Sequence, residues 1–221
     1  MVVNVSENSS SNKIKAVVFD MDGVLVDARE WHFLALNQVL EPFGIAISET
    51  EHLAKYDGLS TKVKLQMLSA DLGLPTELHT IINKVKQDRT LRIANQFCYP
   101  NIGHQILLSR LRVENFKIGL VTNSIRETTK FMLERAQVFH FLDAVVTNED
   151  VKMAKPDPEG YLLCCEKLQL NPDQVLVVED GNYGIEAAKR AGCNVLKVDS
   201  PDDVSLELLS EFVPQLVGLD K

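Results

Sequence analysis

An α/β fold with a buried parallel sheet, interrupted by an inserted helical segment, is predicted by three observations. Short apolar runs recur along the chain, stretches of helical spacing separate the later runs, and the long interval between the first run and the second contains nothing strand-like. The runs are KAVVFD (15–20), KIGLVTN (117–123), DAVVTN (143–148), QVLVVED (174–180) and NVLKVD (194–199). Their apolar residues are continuous rather than alternating, as strands covered on both faces require. Helical spacing fills 124–138, 157–169 and 182–191, the last closed by Gly192 as a C-cap. Such alternation implies right-handed crossovers.

The inserted segment reads as helical throughout. Helix starts are signalled by Asp27 with Glu30, by Ser48 with Glu51 and by Ser60, while Gly44, Gly58 and Gly73 mark breaks. The organisation expected is a loose tail over 1–12, a core domain formed by 13–27 and 99–221, and a helical domain over 28–98. The chain would cross between them near 27–29 and again at 97–101, the second crossing carrying Tyr99, Pro100 and Asn101. The segment 200–221 is a closing helix or a contact surface.

With 221 residues the chain can bury a sizeable core. Its formal charge of −8 argues against nucleic acid and against an anionic membrane surface, both of which need a basic footprint. Local positive charge could still hold a small phosphorylated ligand. Cys98, Cys164, Cys165 and Cys193 form no C-x-x-C pair, which suits reduced thiols and a cytoplasmic location. The N-terminal stretch MVVNVSENSSSNK has no apolar h-region, and no run of about 18 apolar residues follows, so neither export nor membrane spanning is expected. A monomer or a weak homo-oligomer is the expected assembly.

In open α/β sheets ligands bind beyond the carboxyl ends of the strands, and polar residues gather there repeatedly in this chain. The first strand ends in Asp20 and Asp22, the second in Thr122, Asn123 and Ser124, and the fourth in Glu179 and Asp180, with Lys155 in the loop after the third. In extended chain Asp20 and Asp22 share a side and Met21 takes the other. Acids converging on one point repel, so a divalent cation is needed, and hard oxygen ligands select Mg²⁺. Lys155 adds a fixed positive charge. The Thr122 hydroxyl and backbone amides around Asn123 and Gly23 could hold the oxygens of a phosphoryl group. One carboxylate in line with phosphorus can act as nucleophile, while a second protonates the leaving oxygen and later activates water.

Each residue alone also has a plainer role. A D-x-D-G stretch can be a turn, Ser124 the N-cap of the following helix, Lys155 a solvated charge, and Glu179 with Asp180 a helix start. Trp31 and His32 are a packed or capping pair, or contact substrate. Four strand ends carrying these residue types in this order outweigh the plainer roles.

Taken together, DMDGVLVD (20–27), TNS (122–124), KPDP (155–158) and VVEDGNYGIEAA (177–188) resemble the haloacid dehalogenase superfamily, in the branch whose helical cap follows the first strand. That branch includes β-phosphoglucomutase and phosphoglycolate phosphatase. The resemblance spans about residues 13–199 and implies a Rossmann-like parallel-sheet core with an all-helical cap. It implies that Asp20 is the nucleophile forming an aspartyl phosphate and that Asp22 is the general acid and base. Thr122, Asn123 and Lys155 would hold the phosphoryl group. Mg²⁺ would sit on Asp20, the carbonyl of Asp22 and Asp180, supported by Glu179, while Gly58, Leu59 and Ser60 of the cap would close above His32.

Three positions depart from that pattern. Gly181 stands where a serine is usual, Thr61 followed by Lys62 where mutases carry an arginine for a second phosphate, and Ala28 where a threonine is common. The last two disfavour a mutase. The expected function is therefore a Mg²⁺-dependent phosphatase of a small phosphorylated metabolite such as a sugar phosphate. The alternatives are a phosphomutase and, from another class, a non-enzymatic phospho-aspartate signalling module, whose aspartate would sit on a later strand. Dehalogenation does not need Asp22. Phosphonate cleavage needs a desolvated cap lysine, and the sequence does not mark Lys55, Lys62 or Lys64 as one.

Overall fold

A computed structural model describes residues 14–216, and its centre is β1 (Ala16–Phe19), a four-residue strand with no exposed side chain. β1 has both neighbours parallel to it in a five-stranded sheet of order β3-β2-β1-β4-β5, with β2 at Lys117–Val121, β3 at Ala144–Val146, β4 at Val175–Glu179 and β5 at Asn194–Lys197. The predicted tail over 1–12 lies outside the described residues.

Strand alternation sorts the core into two layers. Val17, Phe19, Ile118, Leu120, Leu176 and Val178 face one apolar cluster, and Ala16, Val18, Val121, Val175 and Val177 face the other. Helices cover both. The insert after β1 holds α1 (Arg29–Leu40), α2 (Glu49–Glu51), α3 (Thr61–Leu72) and α4 (His79–Phe97), and α2 runs on into a π-helical turn, His52–Tyr56. After them come α5 (Ile102–Val113), α6 (Arg126–Arg135), α7 (Glu159–Leu168), α8 (Asn182–Ala191) and α9 (Leu206–Phe212). On the first layer α5 supplies Leu107, Leu108 and Leu111, α6 Met132 and Leu133, and α9 Leu209; on the second, α7 and α8 supply Tyr161, Cys164, Ala187 and Ala188. None of the described helices is long and apolar enough to cross a membrane.

No strand interrupts the chain between β1 and β2. The helices of 28–98 carry an apolar cluster of their own around Leu36, Leu40, Tyr56, Leu65 and Leu68. Ser48 and Ser60 cap α2 and α3 as predicted, accepting from the amides of Glu51 and Val63, and Gly44, Gly73 and Gly192 end their helices in the left-handed conformation.

The Asp27–Glu30 start is a correction. The N-cap of α1 is Ala28, at φ −103° and ψ 0°, with no side-chain cap, because the chain leaves a reverse turn already helical and Ala28 is fully buried. Ser124 likewise caps nothing. The α6 N-cap is Ile125, and the carboxylate of Glu149 accepts from the Arg126 amide at 2.6 Å instead. Residues 102–113, for which the sequence pattern predicts no element, form α5; exposed Ile102, Ile106 and Val113 blur its amphipathic stripe. Of the 200–221 segment, α9 closes the core through Leu209 and is followed by buried Val213 and Leu216.

Truncating Leu65→Ala should cost about 2–5 kcal/mol, since the side chain is fully buried in the cap cluster. A lowered urea midpoint would register the loss, and an unchanged midpoint would contradict a packed cap core.

Candidate active site

The phase of the strands carries past their ends. Asp20 continues the Ala16–Val18 side of β1, and Glu179 the Val175–Val177 side of β4, so two carboxylates come side by side above the sheet. The ammonium of Lys155 lies between them and donates to Asp20 Oδ1 at 2.5 Å, to Glu179 Oε1 at 2.6 Å and to the Val121 carbonyl at 2.8 Å. Burial disfavours its charge, yet Asp20 and Glu179 raise its pKa above the usual lysine value. Tyr161 donates to Glu179 Oε1 at 2.6 Å, and its ring centroid lies 5.1 Å from the ammonium. Glu179 Oε2 accepts from the amides of Asp180 and Gly181.

Asp20 and Asp180 retain the electrostatic conflict. Burial, then the neighbouring acids Glu179, Asp180 and Asp22, push Asp20 well above the usual carboxylate range against the pull of Lys155. Burial and Glu179 lift Asp180 to about 7, with Arg29 opposing from 3.6 Å. Ligand oxygens of Asp20, Glu179 and Asp180 lie within 4.8 Å of one another, a crowding of hard donors that suits Mg²⁺. With Glu179 saturated, the donors open to a cation are Asp20, Asp180 and the Asp22 carbonyl, which accepts no hydrogen bond among the described residues.

Asp22 sits on a tight return of the chain, in which the amides of Leu25 and Val26 donate to the Met21 carbonyl and that of Gly23 to Val26 at 2.7 Å. Gly23 has φ +92°, and a Cβ there would lie 2.1 Å from Asp180 Oδ2, so only glycine allows this approach. Its engaged amide removes it from the predicted oxyanion donors. The amides of Met21, Asp22 and Asn123 have no partner among the described residues. Asp22 Oδ2 accepts from Ser124 Oγ at 2.8 Å, and its Oδ1 lies 3.1 Å from His32 Nε2. Burial alone would raise its pKa, but His32, by charge and hydrogen bond, with Ser124 and Lys86, holds it below the usual value. An ionised Asp22 assigns the proton to His32 Nε2, so His32 Nδ1 accepts from Lys86 Nζ at 2.7 Å.

Asp20, Asp22, His32, Gly58, Leu59, Thr122, Asn123, Lys155, Glu179 and Asp180 all line one cavity of about 450 Å³. Ser60 does not; it is the buried cap of α3. Thr122 Oγ1 accepts from the Ser124 amide at 3.0 Å. The Asn123 side chain clasps two loops: Nδ2 donates to the Gly58 carbonyl at 2.8 Å, and Oδ1 accepts from the Lys155 amide at 3.1 Å.

Among the cavity residues that go unpredicted as site residues are Arg29, Ser124, Lys64 and Lys86. Ser124 alone carries a signal, in the motif TNS. Burial brings the pKa of Lys64 to about 8, and burial with Lys64 beside it brings Lys86 to about 7. A desolvated cap lysine, unmarked in the sequence, is thus present.

The family model for haloacid dehalogenase-like hydrolases matches residues 17–198. The chain belongs to this family. As a haloacid dehalogenase-like hydrolase it is an enzyme rather than a non-enzymatic signalling module. It is 32% identical over 179 residues to a phosphorylated carbohydrates phosphatase of Thermotoga maritima, covering 81% of this chain and 82% of that one. It is 30% identical to a β-phosphoglucomutase of Bacillus subtilis, over 90% of this chain and 95% of the relative. A β-phosphoglucomutase structure from Clostridium difficile shares the fold at a TM-score of 0.79 and 23% identity, covering 92% and 99% of the two chains.

Glu179 is held from behind by α8, where a Cβ on Gly184 would lie 1.7 Å from Glu179 Oε1. Gly184→Ala should therefore cost about 1–3 kcal/mol by overpacking, measured as a drop in thermal midpoint. A variant as stable as wild type would show that the Glu179 seat is not tight.

Proposed function

We propose that this hydrolase is a Mg²⁺-dependent phosphatase that removes phosphate from a small metabolite, a sugar phosphate or similar phosphomonoester, through an aspartyl phosphate on Asp20. The observation that carries this is the asymmetry of Asp20. One carboxylate oxygen is fixed by Lys155, while the other accepts no hydrogen bond among the described residues, in a cavity shared with Asp22. The free oxygen attacks phosphorus as the bond to the ester oxygen breaks, and that oxygen takes a proton from Asp22. Asp22 then takes a proton from water, whose oxygen attacks phosphorus and breaks the bond to Asp20, releasing inorganic phosphate. In the resting site Asp22 is ionised, and phosphoryl charge arriving beside it raises its proton affinity toward the acid role.

Lys155, the Thr122 hydroxyl and the amides of Met21, Asp22 and Asn123 hold the non-bridging oxygens. Mg²⁺ on Asp20, Asp180 and the Asp22 carbonyl would neutralise charge on the phosphoryl group. The helices of 28–98, as a cap, exclude water and macromolecules from the cavity.

A second reading is a phosphomutase, favoured by the similarity to β-phosphoglucomutases. It uses the same first step but returns the phosphoryl group to another hydroxyl of the sugar. Thr61 and Lys62, which line the cavity, replace the arginine expected of it.

Phosphate release from a panel of sugar phosphates and other phosphomonoesters separates the two. A phosphatase yields free phosphate in proportion to substrate lost, whereas isomerised sugar phosphate with little free phosphate would establish the mutase. Asp20→Asn should lower turnover roughly 10⁴-fold or more with the thermal midpoint retained, and near-normal turnover would refute the aspartyl phosphate. Removing divalent cations with EDTA should abolish activity and Mg²⁺ should restore it; activity indifferent to EDTA would refute the metal requirement.

A further inference from the structure

Three lysines lie buried around the cavity, and two have partners. Lys155 donates to two carboxylates and a carbonyl, and Lys86 to His32. Lys64 differs. It projects from α3 with 6% of its surface exposed, lines the cavity, and makes no hydrogen bond or ion pair among the described residues. Of the two carboxylates that attract it, Asp22 is committed to His32 and Ser124, and neither Asp22 nor Asp57 comes within ion-pair distance of its ammonium. A buried lysine without a partner is rare because its ammonium loses hydration and gains nothing in return. A bound anion would supply that missing partner.

The surrounding wall has the same character. Lys55, Lys62, Lys64 and Lys86 all line the cap side, facing a single cap carboxylate, Asp57, while Asn83 and Gln87 add amide donors. The carboxylates Asp20, Glu179 and Asp180 lie on the sheet side, where Lys155 and the strand-end amides seat the reacting phosphoryl group. One anion-binding pole is thus accounted for by the reaction, and the other is not. We propose that Lys64 is a specificity residue that binds a second anionic group, a carboxylate or a second phosphate, on the leaving-group half of the substrate. This rests on the phosphatase reading and narrows it to phosphomonoesters with an anionic tail. The cavity of about 450 Å³ accommodates a short polyol or hydroxy acid between the two poles.

Two matched substrate pairs test this, in wild type, Lys64→Met and Lys64→Arg: 3-phosphoglycerate against glycerol 3-phosphate for a carboxylate tail, and fructose 1,6-bisphosphate against fructose 6-phosphate for a phosphate tail. Wild type should prefer the anionic member of at least one pair, and which pair identifies the group. In Lys64→Met the ratio of kcat/KM for anionic over neutral substrate should fall about 10- to 100-fold, mainly through KM, as expected for loss of a charged hydrogen bond. Lys64→Arg should recover part of the ratio. The thermal midpoint of Lys64→Met should equal or exceed that of wild type, since an unpaired buried charge is removed. A ratio that stays within about twofold of wild type in both pairs, while phosphate is still released, overturns the proposal and leaves the phosphatase reading intact. Wild type that releases phosphate from no member of either pair or of the wider panel overturns both.

Discussion

The ammonium of Lys155, held between Asp20 and Glu179, is the interaction on which the site is built. It joins the ends of β1 and β4 to the loop after β3, and through the Val121 carbonyl to β2. Three parallel strands must lie adjacent, in the order β2-β1-β4, for its three acceptors to converge. Removing Lys155 would leave its buried acceptors without their cation, at a cost of about 3–5 kcal/mol, whereas an asparagine at position 20 keeps an oxygen to accept from it. The surroundings follow from this constraint. Asn123 pins the backbone of Lys155, Tyr161 supports Glu179, and Gly184 lets α8 approach close enough to cover it. Saturating Glu179 leaves Asp20 and Asp180 as the conflicting acids, the state a divalent cation relieves.

Near the cavity the helices of 28–98 meet this platform through polar groups, and away from it through buried Ala28 and Ala94. Asn123 reaches the Gly58 carbonyl, Thr128 donates to Gln87 at 3.0 Å, and His32 links Asp22 to Lys86. The cap has its own apolar cluster, so its internal stability does not depend on these contacts. The same arrangement gives the two walls different chemistry: carboxylates and strand-end amides on the sheet side, lysines and amide side chains on the cap side.

Much of this was legible in the residues. Strand periodicity located all five strands, and the rule that ligands bind at carboxyl ends singled out Asp20, Asp22, Thr122, Lys155, Glu179 and Asp180, which share the cavity. Local capping rules worked where the chain was locally determined, at Ser48, Ser60 and Gly192. They failed where a distant group took over. Ser124 turns to Asp22, Glu149 caps α6 from a different loop, and the turn at Met21–Val26 delivers Ala28 already helical. The α5 helix was hidden because exposed isoleucines and valine mask the stripe formed by Leu107, Leu108 and Leu111.

By itself the sequence determined the class of fold, the order of its elements and the carboxylates at the strand ends, because these obey periodicities and caps within a few residues. Tertiary structure alone decided which partners meet. His32 and Lys86 are 54 positions apart, Asp22 and Ser124 are 102, and Asp20 and Lys155 are 135. Only packing across those separations distinguishes a lysine in water from Lys64 or Lys86, whose depressed proton affinity arises from burial. Desolvation depends on every neighbour at once, and no local pattern encodes it.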